Sequence, residues 1–352
     1  MTAGPLPGFG PAAGSRTPPR RLLDRTLARP STAAWIGLVA ATVFFALQAP
    51  GLVSVAGLAG VLNSAAPLGI GALAVGLLLI SGHFDLSIGM VAGASALCTG
   101  LLVTQAGWGI WPALGASLAA SLLVGLVNGW LVARTGLPSF LVTLAAHLVL
   151  QGVALAGTRA IAGTTVLQGL DRSPGWSSAR TVFDATWQWD RATFHVSVLW
   201  WLALTALAAW ALWRTRFGNA VFAVGGARRA ARELGVPVRR TTVALFCSTA
   251  AAGWLVGTLA LVRIGSAEAD ASLMPAVEFI VVAVIGGCLL TGGYGSVVGT
   301  AVGALLYAVV RFGVTLAGWD PLWFQAFLGV LLLVALLASG AVRTRLRSVP
   351  RS

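Results

Sequence analysis

Runs of mostly apolar residues with almost no charge, each about as long as a bilayer-crossing helix, recur from residue 33 to residue 340. No other feature restricts the fold so tightly. In hydrocarbon every backbone N–H and C=O needs a partner inside the protein, so a run of about 20 apolar residues folds as a helix and packs in a bundle. The runs lie near 33–49, 58–80, 87–106, 111–133, 139–158, 195–213, 241–262, 275–291, 296–317 and 322–340. Asn63 and Pro67 interrupt the second run, and the stretch from 80 to 90 reads as a dip into the bilayer or as a simple turn. The expected fold is all-α: a polytopic transmembrane bundle of about ten helices. Composition agrees, since 9% of residues are charged against about 25% in soluble domains. The 44 glycines suit close helix packing. They recur at four-residue spacing in Gly89/Gly93, Gly125/Gly129, Gly253/Gly257 and Gly295/Gly299/Gly303.

The formal charge is +13, and all of the cations are arginine. Without lysine, a phosphate loop of the GxxxxGK[ST] form cannot be built. The arginines sit almost entirely between the runs, so they report topology rather than nucleic-acid binding. With the N-terminus inside and alternation thereafter, 17 arginines fall inside and 6 outside. Both termini are therefore expected in the cytoplasm. Residues 1–32, rich in Pro, Gly, Ala and Arg, read as a disordered cytoplasmic tail. A membrane domain follows over 33–340, with an external loop at 159–194 and a cytoplasmic loop at 214–240. A basic cytoplasmic tail, 341–352, closes the chain. The first run lacks a clear cleavage site and reads as a retained anchor. Trp176, Trp187 and Trp189 in the external loop suit a membrane interface or a partner. Cys98, Cys247 and Cys288 fall within apolar runs and read as small buried hydrophobes.

The cytoplasmic loop holds a short helical pattern. Gly225 and Gly226 precede Ala227–Leu234, and Gly235 and Pro237 stop it. Ala227, Ala230, Ala231 and Leu234 share one face, with Arg228, Arg229, Arg232 and Glu233 away from it. Two turns are too few to hold alone. The pattern suits equally an interfacial helix on anionic lipid and a protein-docking helix.

Polar groups at membrane depth cost about 2.5–3.5 kcal/mol for a central Asp. Asp85 lies in Ser81-Gly-His-Phe-Asp-Leu-Ser-Ile-Gly89, where it could cap a helix start through Ser87 or meet a substrate. Asn128 lies within a span, and Thr143, His147 and Gln151 form one stripe of another. The stripe fits a polar path or hydrogen bonds between helices. An ion-coupled transporter would carry paired mid-span charges. The spans show none, which points to energy supplied from outside the chain.

The motifs taken together resemble a known family. These are the segment 81–89, Asn128-Gly129, Leu137-Pro-Ser-Phe-Leu-Val-Thr143, Thr215-Arg-Phe-Gly218, Ala223-Val-Gly-Gly226, Ala230-Ala231 with Gly235, Gly265-Ser266-Ala267, Val284–Gly287 and Gly292–Thr300. In this order and spacing the chain, over about 58–340, resembles permease subunits of ATP-binding-cassette importers for ribose and related simple sugars such as xylose and arabinose. That group is itself related to branched-chain amino acid permeases. The resemblance implies import of a sugar or similar small polar solute by alternating access across a bacterial inner membrane. It implies no enzymatic activity and no cofactor in this chain, with ATP bound by a separate ATPase subunit. It also implies an extracytoplasmic substrate-binding protein and a permease homodimer. Ala230, Ala231, Arg232, Leu234 and Gly235 would form the coupling helix that docks on the ATPase. His83, Asp85, Ser87, Asn128, Thr143 and His147 would line the translocation path. His83 stands where the family has Gly, His147 where it often has Met, and Ile280 where an acidic residue often follows Glu278. The two histidines could tune substrate choice or simply pack. An ion-coupled secondary transporter of a small polar solute is the competing reading.

Overall fold

The computed structural model describes residues 31–269 and 272–347. The expected tail 1–32, save its last two residues, and residues 348–352 of the expected tail 341–352 lie outside these.

Each expected run coincides with a helix. These are α1 (Thr32–Gln48), α2 (Val55–Ile80), α3 (Ile88–Thr104), α4 (Ile110–Thr135) and α5 (Ser139–Ala162). Then come a short outer helix α6 (Trp176–Phe183), a hairpin of β1 (Thr186–Trp189) and β2 (Ala192–His195), and α7 (Ser197–Arg214). Two short helices follow, α8 (Arg216–Gly226) and α9 (Arg228–Glu233). The chain closes with α10 (Val238–Ile264), α11 (Met274–Ile285), α12 (Val297–Leu316) and α13 (Trp323–Arg347). Among the described residues, α2, α4, α5, α7, α10 and α12 are long and apolar enough to cross a membrane, and α1, α3, α11 and part of α13 are shorter apolar helices.

Helix starts follow local chemistry. Ser54 Oγ accepts the Gly57 N–H at 3.0 Å, and Ser296 Oγ accepts the Gly299 N–H at 3.2 Å, which satisfies free donors at the starts of α2 and α12. Contrary to the expected interruption, α2 runs unbroken through Asn63 and Pro67. Pro67 removes one helical hydrogen bond, that to Asn63 O, and the packing along the rest of α2 keeps the helix continuous.

Helices α2, α10 and α12 form the buried centre, while α4, α5 and α7 are largely exposed. The exposed faces are apolar, as Leu148, Val149 and Val153 on α5 and Leu207 and Trp210 on α7 show. Such a surface suits hydrocarbon rather than water. Glycines bring backbones together at the centre. A Cβ at Gly125 or Gly129 of α4 would meet α10 backbone at 2.6 or 2.8 Å, and one at Gly253 or Gly257 of α10 would meet α3-side backbone at 2.8 or 2.2 Å. Packing of this kind is what holds helices together where water cannot drive association.

At 1.5 Å per residue, α1 and α3 with 17 residues each and α11 with 12 are shorter as helix alone than a core about 30 Å thick. Helices α3 and α11 each adjoin an irregular loop, 81–87 before α3 and 286–296 after α11. Irregular backbone is tolerated at such depth only when protein surrounds it. Here Ser81, His83, Asp85 and Ser87 are all buried.

At the opposite end, the hairpin sits over α2. Asn63 Nδ2 donates to Thr193 O at 2.7 Å, and His195 N–H donates to Asn63 Oδ1 at 3.0 Å. Asp184, buried just before the hairpin, meets His195 Nδ1 at 3.0 Å, Arg263 Nε at 3.5 Å and Arg180 Nε at 3.7 Å. These contacts fasten the segment that carries the hairpin to α2 and α10.

Candidate functional site

The loop 81–87 reverses the chain, and its buried polar side chains bond within the loop or to neighbouring helices, with His83 Nε2 left unpartnered. Ser87 donates to Asp85 Oδ1 through its N–H at 2.8 Å and through its hydroxyl at 2.6 Å. Thr249 Oγ of α10 donates to Asp85 Oδ2 at 2.5 Å. Both carboxylate oxygens are thus taken by protein donors. Charge-assisted bonds of this kind are about twice as strong as neutral ones, and they offset the cost of a buried carboxylate.

The loop is also tied to α4 and α5. Asn128 Nδ2 donates to Ser87 Oγ at 3.1 Å. The Phe84 N–H donates to Ser139 Oγ at 2.8 Å, and the Leu86 N–H donates to Thr143 Oγ at 3.0 Å. One residue stretch therefore reads three helices. Of the residues expected to line a path, Asp85, Ser87, Asn128 and Thr143 form one bonded cluster. His83 lies beside it, its ring 6.0 Å from that of Phe246 on α10. His147 lies one turn beyond Thr143 on α5 and is buried. His83 Nε2 and His147 Nδ1 have no hydrogen-bond partner.

At the end of the bundle that bears α8 and α9, the side chain of Thr215 accepts the Gly218 N–H at 3.4 Å and starts α8. Helix α9 spans six residues, shorter than the expected Ala227–Leu234. Ala231 packs with Val224 and Val238. The expected common face does not form. Ala227 and Leu234 fall at the caps, beyond the helical turns, and Ala230 is exposed. Leu234 is 84% exposed. Beside it, Arg232, Pro237, Val238, Arg239 and Arg240 line a groove of about 360 Å³. Burial, and then the nearby charge of Arg232, lower the pKa of Arg228.

Comparison with known proteins decides what this arrangement belongs to. The family model described as the permease component of the branched-chain amino acid transport system matches residues 57–336. The chain belongs to this permease family. It is 32% identical over 277 residues to the fructose import permease protein FrcC of Rhizobium meliloti, covering 78% of this chain and 75% of the relative. It is 34% identical over 306 residues to the probable ABC transporter permease protein YphD of Escherichia coli K12, covering 84% and 85%. It is 28% identical over 364 residues to the xylose transport system permease protein XylH of the same strain, covering 88% and 91%. No solved structure matches significantly. The importer-permease family inferred from the ordered motifs is thereby shown, and the protein is a multi-pass membrane transport subunit rather than an enzyme.

In this permease several site residues escape sequence reasoning. Thr249 and Ser139 sit in apolar runs among other Ser and Thr residues, and nothing in their spacing marks them as partners of loop 81–87. Asn63 reads as an interruption, whereas its amide seats the hairpin.

Proposed function

We propose that this permease imports a monosaccharide, or a polar solute of similar size, powered by ATP hydrolysis in a separate subunit. It works as one of two copies in a bacterial inner membrane, crosses it ten times and keeps both termini in the cytoplasm. The relatives named for fructose, xylose and galactose import support the substrate class. The arginine asymmetry supports the orientation.

The observation that carries the reading is α9. A six-residue helix with Ala231 as its buried residue is followed by Leu234 in the open, and the adjoining Arg232, Pro237, Val238, Arg239 and Arg240 line a groove. An exposed apolar side chain next in sequence to an arginine-lined groove is a surface that a protein partner can cover. Ala230, Ala231, Arg232, Leu234 and Gly235 are the coupling element in this reading, with Ala231 its anchor and Leu234 its contact. The chain needs no cofactor, because the ATPase subunit binds the nucleotide. A substrate-binding protein delivers solute to the opposite face, near the hairpin.

The path residues divide by role. Asp85, Ser87, Asn128 and Thr143 already hold one another and set the loop. His83 and His147 keep an unpartnered nitrogen each, and a sugar hydroxyl is a suitable partner for such a group.

The test is uptake into vesicles containing the permease with its ATPase and binding protein, using labelled D-fructose, D-xylose and D-galactose. ATP-dependent uptake of one of them is expected. Uptake driven by an ion gradient with no ATPase subunit present would replace this reading with the secondary-transporter one.

A further inference from the structure

Three breaks in the helical bundle meet at one point. Loop 81–87 leaves α2, loop 286–296 joins α11 to α12, and Gly225–Gly226 ends α8. They touch backbone to backbone. The Gly293 N–H donates to Ile80 O at 2.8 Å. A Cβ at Gly225 would lie 1.9 Å from Ile80 O and 2.6 Å from Gly293 N. One at Gly292 would lie 2.7 Å from Gly82 Cα and 3.0 Å from Gly225 O, and Gly292 has φ +80°. Only glycine fits either position.

Side chains in contact can change rotamer and absorb a displacement. Backbones in contact have no such slack, and packed interiors transmit strain. On one side of the contact, Gly226 is two residues from the start of α9. On the other, Gly82 is three residues from Asp85, whose loop is hydrogen-bonded to α4, α5 and α10.

We infer that this glycine junction is the rigid link that carries motion of α9 to loop 81–87, and through it to α4, α5 and α10. Gly225 and Gly292 act as positioning residues for transport. The inference rests on the proposed docking of an ATPase at α9. Gly226 provides an internal control, because a Cβ there meets nothing within 4 Å and its φ is not positive.

The test uses the assembled complex of permease and ATPase subunit in lipid nanodiscs. The readout is the stimulation of ATP hydrolysis by the binding protein, added with D-fructose, D-xylose or D-galactose. Gly225→Ala should assemble and hydrolyse ATP at the basal rate but lose the stimulation. Gly226→Ala should keep both. Stimulation retained in Gly225→Ala at the wild-type level would overturn the link. Absence of ATP hydrolysis or of stimulation in the wild-type complex would instead overturn the proposed function. If Gly225→Ala does not assemble, hydrogen–deuterium exchange of the wild-type complex decides. The Gly293 amide should stay protected with and without ATP, and exposure in either state would show a junction that opens and transmits nothing.

Discussion

Asp85 shows how a buried charge can serve a fold instead of a ligand. Its two oxygens are met by Ser87 and Thr249, so its position is set before any solute arrives. Thr249→Val keeps the shape of the side chain and removes the donor to Oδ2. A buried acceptor left without its partner costs about 1–3 kcal/mol. The thermal midpoint of the purified protein should fall accordingly, and Thr249→Ser, which restores the hydroxyl, should recover most of the loss. An unchanged midpoint in Thr249→Val would mean that the carboxylate does not depend on this bond. The motif around Asp85 could be read from sequence because a capping Asp and its Ser are two residues apart. Thr249 could not, because it lies 164 residues away and reaches Asp85 only once α10 has packed.

Among the elements, α8 and α9 separate what periodicity can and cannot say. The segment Arg216–Gly226 has Asn219 and three glycines and reads as loop, since glycine costs about 1 kcal/mol in a helix. It is helical because Val221 and Val224 are buried, and tertiary burial outweighs the propensity. The i, i+3, i+4, i+7 spacing of Ala227, Ala230, Ala231 and Leu234 suggests one apolar face. The helix ends before Leu234, so the face breaks and the leucine points outward. Leu234→Asp should therefore leave stability within about 0.5 kcal/mol, as exposed substitutions do. It should sharply reduce copurification of the ATPase subunit and abolish ATP-driven uptake. Wild-type uptake by this variant would remove α9 from the docking role. The apolar runs overlap helices throughout, because hydropathy acts within one segment and needs no partner, but among the described residues six of those helices are long and apolar enough to cross a membrane.

For the whole molecule, the proposed orientation rests on the arginines, while the broken helices and the hairpin follow only from packing. The orientation has a direct check in a background lacking Cys98, Cys247 and Cys288. A membrane-impermeant maleimide should label Trp189→Cys in intact spheroplasts, since that side chain is 71% exposed on the hairpin. Leu234→Cys should react only after the membrane is opened. The reverse pattern would invert the topology and place α9 on the wrong side for an ATPase.

The seating of the hairpin on Asn63 bears on how the two faces of the membrane communicate. Helix α2 holds the hairpin at Asn63 and accepts the Gly293 N–H at Ile80, positions about 26 Å apart along the axis at 1.5 Å per residue. Helix α10 repeats the arrangement, with Val238 packed beside Ala231 of α9 and Arg263 reaching Asp184 below the hairpin. Helices α2 and α10 thus both run from the hairpin side of the bundle to the side that bears α8 and α9, α2 ending against Gly293 and α10 starting against Ala231. If the proposed partners bind at the hairpin and at α9, these two helices are the direct connections between their sites.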